Sequence, residues 1–176
     1  MDLREKQCLI AFYSRKGNNY VNGSIVNLEI GNTEVIAKMI NELIESDMFY
    51  INTIKPYPQD YEETTKVAKQ ELKSNARPEL SDHIADMKVY HIIFLGYPNW
   101  WGTMPMVVRS FLESYNFSDK IIIPFCTHEG SGLGSSVKDI AQLCPKAEIK
   151  NAISFRGGNV KNARGEVEKW IQKCQI

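Results

Sequence analysis

Three glycine-bearing loops carry most of the chemistry legible in this chain, and each follows a short apolar run. The first is Ser14-Arg15-Lys16-Gly17, resumed at Gly31-Asn32-Thr33; the second is Pro98-Asn99-Trp100-Trp101-Gly102; the third is Thr127-His128-Glu129-Gly130-Ser131-Gly132. Hydroxyls beside a helix start suit a phosphate, because the first amides of a helix lack partners and carry the positive end of its dipole. Adjacent indoles suit a flat conjugated ring, and glycines let backbone approach closely. Together the loops describe a pocket for a phosphorylated aromatic cofactor.

Each loop also admits a plainer use. Asn32 and Thr33 are common helix caps. Arg15 and Lys16 supplement an anion site, form a basic docking edge, or are solvated loop cations. Trp100 and Trp101 meet a ligand ring or pack on the following helix through Met104 and Met106. His128 and Glu129 line the pocket, where they invite proton chemistry, or sit outward in solvent.

The elements that must position these loops alternate five times between strand and helix. Residues 8–13 are a continuous apolar run of buried-strand length, and Val35, Ile36, Met39, Ile40, Leu43 and Ile44 fall on one helical face. Residues 48–54 read as a second strand. After Pro56 and Pro58, Asp60 with Glu63 forms a capping-box-like start for a helix to about Asn75, its face carrying Tyr61, Thr64, Ala68 and Leu72. Residues 89–97 form the third strand, and a helix beginning near Pro105 aligns Val108, Phe111, Leu112 and Tyr115. Residues 121–125 form the fourth strand, before a helix with Val137, Ile140, Ala141 and Cys144 inward. The fifth pair is residues 148–155 and then 163–174, with Val167, Trp170, Ile171 and Cys174 as the stripe. Five β-α units imply a parallel sheet covered on both faces.

One segment breaks the rhythm: residues 18–30 stand where a compact α/β domain uses a loop of a few residues. Asn22-Gly23 flanked by Tyr20-Val21 and Ile25-Val26 is a hairpin signal, because a two-residue type I′ turn needs positive φ at both positions. The expectation is a small β flap; the alternative is a disordered insertion.

Composition bounds the rest. At 176 residues and 43% hydrophobic content, the chain reads as a single domain, 1–176, able to bury a core. Lys plus Arg balance Asp plus Glu at 21 each, so no global field recruits nucleic acid or an anionic membrane. No apolar stretch reaches the roughly 20 residues that span a bilayer. The charged start at residues 1–6 does not read as a secretory signal, and the dispersed Cys8, Cys126, Cys144 and Cys174 read as reduced core thiols of a cytoplasmic protein. The Asn22-Gly23-Ser24 sequon is then a chance match.

With the three loops after strands one, three and four, and a closing Phe155-Arg156-Gly157-Gly158-Asn159 turn, the chain resembles a flavodoxin-like protein over nearly its whole length. The resemblance implies a three-layer αβα sandwich whose five-stranded parallel sheet has the order 2-1-3-4-5, with FMN at the switch point between strands one and three. It implies a phosphate site at Ser14, Arg15, Lys16, Asn32 and Thr33, although the family generally uses hydroxyls and amides there, and the two cations depart from that pattern. It also implies flavin contacts from residues 98–102 and 127–132, with at least one tryptophan against the ring. The implied function is electron transfer through the bound flavin, to a redox partner protein or a small-molecule acceptor. The alternative is an FMN-dependent NAD(P)H:quinone or related oxidoreductase, favoured by a net charge of zero, since acidic flavodoxins carry a negative docking surface.

Non-flavin readings fare worse. A receiver domain needs acidic residues after strand one and an aspartate ending strand three, where this chain has Tyr13-Ser14 and Gly96-Tyr97. A small tyrosine phosphatase needs a cysteine and an arginine bracketing the first loop, and Arg15 stands one position too far from Cys8. A module of this fold that binds no flavin remains, and an absorption spectrum separates it.

Overall fold

Strands that are apolar on consecutive residues are stable only when both faces are covered, and the sheet is built from such strands. The computed structural model describes residues 7–174, so the charged start at residues 1–6 lies outside the described residues. In chain order the elements are β1 (Cys8–Phe12), β2 (Gly17–Val21), β3 (Ser24–Leu28), α1 (Asn32–Ile44), β4 (Asp47–Tyr50), α2 (Tyr61–Ser74), β5 (Ile92–Pro98), α3 (Met106–Ser114), β6 (Ile121–His128), α4 (Ser136–Leu143), β7 (Glu148–Ile149), β8 (Ile153–Arg156) and α5 (Arg164–Lys173). All main-sheet pairings are parallel, in the order β4-β1-β5-β6, and β7 and β8 share the fifth position beside β6. Counted by position, this is the order 2-1-3-4-5 in an αβα sandwich.

Period-2 alternation divides the core into two layers. Cys8, Ile10 and Phe12 of β1 face α1 and α5, where Ile36, Ile40, Val167 and Trp170 are buried. Leu9 and Ala11, followed by Tyr13, face the other way, toward Val108 and Phe111 of α3 and Ile140 of α4. The helix α2 starts where expected: the Asp60 carboxylate accepts the Glu63 N–H at 2.9 Å, a cap worth about 1 kcal/mol, and Asn75 ends the helix in the left-handed region. Among the described residues no helix is long and apolar enough to cross a membrane.

Element boundaries shift for identifiable reasons. The second strand is residues 47–50 rather than 48–54, because past Tyr50 the chain turns away and Thr53 instead bridges Leu80. The third begins at Ile92 rather than residue 89: Met87–Val89 is a 3₁₀ turn whose Asp86 side chain takes the Lys88 N–H. The fourth runs three residues further, to His128, since its end is paired on both edges, Pro98 to Thr127 and His128 to Arg156. The fifth is broken at Asn151 (φ 53°), whose carbonyl accepts the Trp170 Nε1–H at 2.6 Å. In α4 Ala141 is exposed, and Leu143 packs on the core in its place.

The segment after the first loop is an antiparallel hairpin, β2 with β3, turning at Asn22 (φ 50°) and Gly23 (φ 89°). All four cysteines are buried, and burial pushes the Cys126 thiol up to about 12 and those of Cys144 and Cys174 up to about 11. These three are therefore protonated packing residues near neutral pH.

Gly96 is the tightest position of the sheet. A Cβ there would strike the Phe125 ring and come within 2.9 Å of Phe12 Cβ. Gly96→Ala should destabilise the fold by about 1–3 kcal/mol through overpacking, read as a lowered urea midpoint at unchanged slope. A midpoint equal to wild type would mean that β5 and β6 are not packed this closely.

Candidate functional site

From β1 the chain goes outward to β4, then crosses back to β5, so connections diverge between β1 and β5 and leave a crevice at their carboxyl ends. Two adjoining cavities lie there, of about 470 Å³ and 140 Å³. Arg15, Asn99 and Trp100 line both. Trp101, Gly102 and Ser131 line only the larger; Asn32, Thr33, Pro98, Thr127, His128 and Glu129 line only the smaller. Ser14 and Lys16 line a separate 250 Å³ pocket on the far side of the first loop, and Gly130 and Gly132 line none of the three.

In the first loop the side chains are already engaged. The α1 N-cap is Gly31, so neither Asn32 nor Thr33 is the cap; the Glu34 N–H donates to Ser14 Oγ at 3.0 Å, and Ser14 thus caps the helix from the end of β1. A Cβ at Gly31 would strike that hydroxyl and the Arg15 carbonyl. The Thr33 hydroxyl is buried and bonded to Thr127 Oγ1 at 2.8 Å, tying the first loop to the third. Arg15 is neither a solvated cation nor a docking edge: it donates to the carbonyls of Asn18, Pro58 (2.9 Å) and Gln59 (2.8 Å) and to Thr64 Oγ1 (3.0 Å). Burial lowers its pKa, as Tyr13 and Asp60 oppose the shift. Lys16 is exposed. An anion at the start of α1 would therefore meet chiefly the first backbone amides of the helix and the Asn32 side chain.

The second loop separates its two indoles. Trp100 is half-buried, with Tyr13 at 5.3 Å and Tyr57 at 5.0 Å standing edge-on to it, and its inner side packs against the core cluster that includes Met104, while a further part of the ring lines the cleft. Burial raises the pKa of both phenols, assisted at Tyr57 by Glu71, whose carboxylate accepts its hydroxyl at 2.8 Å. Trp101 is 51% exposed at φ 54°; its Nε1–H donates to the Thr65 carbonyl at 3.0 Å, and Lys69 Nζ lies 4.8 Å over its ring. Asn99 holds the loop: Oδ1 accepts the Gly102 N–H at 3.0 Å, while Nδ2 donates to the Gly132 carbonyl at 2.8 Å. The Ser135 N–H donates to the Gly102 carbonyl at 2.8 Å, and Gly134 (φ 53°) leaves no room for a side chain beside that carbonyl.

In the third loop Thr127 and His128 end β6, so only the residues after them are loop. His128 Nδ1 accepts the Gly130 N–H at 2.9 Å, which assigns the proton of the neutral ring to Nε2; burial lowers its pKa. The Glu129 carboxylate accepts the Asn22 N–H of the hairpin turn at 3.1 Å through Oε2, and Arg156 Nε lies 4.0 Å away. Neither side chain is a free solvent group.

Sequence reasoning missed the wall opposite the tryptophans. Tyr61, Thr64, Thr65 and Ala68 of α2 line the larger cavity, and Tyr20 of the hairpin stacks on Tyr61 with centroids 6.2 Å apart. The hairpin thus reaches from α2 across to Glu129, over the smaller cavity. Tyr61 carried a signal, an aromatic at the amphipathic helix's first turn, but nothing local shows which cleft that helix borders.

A family model described as flavodoxin matches residues 26–174. No curated protein sequence matches the chain. Among solved structures, a Bacteroides eggerthii protein assigned as a flavoprotein superposes with a TM-score of 0.77 at 20% identity, covering 97% of this chain and 98% of that one. A Bacteroides uniformis counterpart gives 0.75 at 23% identity, covering 95% and 98%. A Lactobacillus acidophilus flavoprotein solved in complex with FMN gives 0.66 at 21%, covering 94% and 99%. At such identities these likenesses speak to the fold, and the family match extends over most of the chain: this protein belongs to the flavodoxin family.

Proposed function

We propose that the cleft binds FMN and that the protein passes electrons through the bound flavin to a redox partner protein or a small-molecule acceptor. The observation that carries this is the seating of Trp100: a large ring braced edge-on by Tyr13 and Tyr57, bordering a 470 Å³ cleft beside a helix start. A cleft of that size falls in the range of small-molecule sites, and the donors at hand fit the ligand. The ring would lie against Trp100, with Trp101 and Gly102 at its edge, and the phosphate at the first amides of α1. FMN supplies the electron storage, taking up and releasing electrons one or two at a time. The protein would bind and orient it, exclude water from one face, and present Ser131 and the second N–H of the Asn99 amide to the polar groups of the ring. Three buried, protonated thiols suit a reducing cytoplasm.

Titration with FMN, FAD and riboflavin, followed by absorption and fluorescence, tests the ligand; FMN should bind most tightly. Trp100→Ala should weaken FMN by about 1–3 kcal/mol and shift its absorption band, because stacking and water exclusion are both lost. Trp101→Ala should cost less, since that ring is half exposed and spends its N–H on α2. Loss of Trp100 without effect on affinity or spectrum would place the ring elsewhere.

A second reading, an FMN-dependent NAD(P)H:quinone or related oxidoreductase, is favoured by the hairpin, because a cover over a cleft is of most use where substrate must be positioned and water excluded. Replacing residues 19–28 by a Gly-Ser linker should leave the sheet folded and increase quenching of the bound flavin by iodide. Turnover of NADH or NADPH with a quinone, lowered by that replacement, would establish the reductase. Negligible turnover together with reduction in two resolved one-electron steps would establish the carrier.

A further inference from the structure

We infer that Glu129 is a specificity-determining residue whose carboxylate accepts a hydrogen bond from a hydroxyl of the polyol chain that joins ring to phosphate in a flavin ligand, an inference that rests on the FMN reading above. The two carboxylate oxygens have different fates. Oε2 takes the Asn22 N–H of the hairpin at 3.1 Å, with Arg156 Nε at 4.0 Å. Oε1 is shielded from solvent and has no hydrogen-bond partner. Leaving a buried acceptor unmatched is costly, and more so on a charged group. A site that keeps such an oxygen is arranged around a donor that its ligand brings.

The surroundings select which donor. Glu129 lines the 140 Å³ cavity that contains Asn32 and Thr33 but not the 470 Å³ cavity that contains Trp101 and Gly102. A phosphate at the start of α1 has no proton to give and would be repelled by the carboxylate at contact distance. A ring seated in the larger cavity, which Glu129 does not line, would not bring its N–H to this oxygen. The hydroxyls between ring and phosphate are the donors left for the smaller cavity. Gly157 secures the arrangement: a Cβ there would come well under 3.0 Å from both Glu129 Oε1 and Asn32 Nδ2, so only glycine leaves room for this acceptor and this donor in the wall of the same cavity.

The test uses flavin fluorescence quenching with three ligands, FMN, riboflavin and lumiflavin, the last carrying a methyl group in place of the polyol. In Glu129→Gln the shape remains and the one carbonyl oxygen stays with the Asn22 N–H, so an uncharged NH2 donor replaces the charged acceptor at the other position, and charge-assisted bonds are roughly twice as strong as neutral ones. Riboflavin and FMN should weaken by one common factor, about fivefold to tenfold, and lumiflavin should not change. Gly157→Ala, which displaces Oε1 without touching the charge, should also weaken riboflavin and leave lumiflavin unchanged, with a further loss for FMN because its Cβ meets Asn32 Nδ2 as well; it stands in should the glutamine variant fold poorly. Equal weakening of all three ligands would reduce Glu129 to a hairpin latch or place it against the ring. Tightening of FMN relative to riboflavin would mean that the carboxylate opposes the phosphate. Unchanged affinities for all three would leave Oε1 without a ligand. Each of these overturns the inference while leaving FMN binding intact, whereas wild-type protein that binds no FMN overturns the functional reading and this one together.

Discussion

Everything in this fold is arranged around a strand that meets no water. Six residues of β5, from Ile92 to Tyr97, are buried, and the strand is paired along both edges, to β1 and β6. A strand in that position can present polar chemistry only where it ends. The strand ends at Pro98, the Asn99 N–H makes a last bond to the Thr127 carbonyl, and the tryptophan loop begins there. The same double burial fixes Gly96, because Phe125 and Phe12 close over the strand with no space for a Cβ. Packing in the sheet thus decides the site's position before any functional side chain does.

The electrostatics of the first loop follow a different logic from its composition. Two cations and two hydroxyl residues in a row of loop positions suggest an anion cradle, yet Arg15, Ser14 and Thr33 spend their groups on carbonyls, on the Glu34 amide and on Thr127. Arg15 supplies the connection between the loop after β1 and the turn before α2, through the carbonyls of Pro58 and Gln59 and the hydroxyl of Thr64. A lysine could not bind several acceptors at once in that geometry. The Arg15 charge holds two walls of the cleft together, and an anion bound at the start of α1 would meet backbone dipoles instead. That division keeps the site close to neutral and leaves Glu129 tolerable on its inner side.

The strands were legible because buried strands declare themselves by continuous apolar runs, as β1, β5 and β6 do, whereas their order followed from the resemblance of the loops to flavodoxin-like proteins and not from the runs themselves. Where reading failed, the deciding force was non-local. Nothing in residues 121–128 reveals that Thr127 and His128 belong to β6 and not to a loop, since only the flanking pairs with Pro98 and Arg156 extend it. Asn151 broke the fifth strand through a backbone conformation stabilised by Trp170, nineteen positions away. The three loops converge as their strand positions imply, but the individual roles of Ser14 and Arg15 depended on which donors and acceptors the fold brought to them. The wall from α2 was invisible because an amphipathic pattern reveals that one face is buried and not what opposes it.

The hairpin shows how unequal anchoring can divide one cleft into two regimes. A lone pair of short strands is only marginally stable in water, so its place over the site is set by what holds it. At the root, Arg15 donates to the Asn18 carbonyl, and Asn19 Nδ2 donates to the carbonyls of Arg15 and Gly17, both at 3.0 Å. Toward the tip there are the exposed Tyr20 ring on Tyr61 and the Asn22 bond to Glu129, together worth about 1–3 kcal/mol. The root is therefore the better-anchored end, and opening the tip would require a population shift of about fivefold to 150-fold, since 1.4 kcal/mol is a factor of ten. That motion would uncover the smaller cavity, which Tyr20 lines, while the larger one borrows only Asn19 from the hairpin and stays open throughout. With FMN seated as proposed, its phosphate end would be retained under a weak latch, and the outer edge of its ring would remain reachable. A flavin site that must hold its cofactor and still exchange electrons with a separate molecule needs that asymmetry.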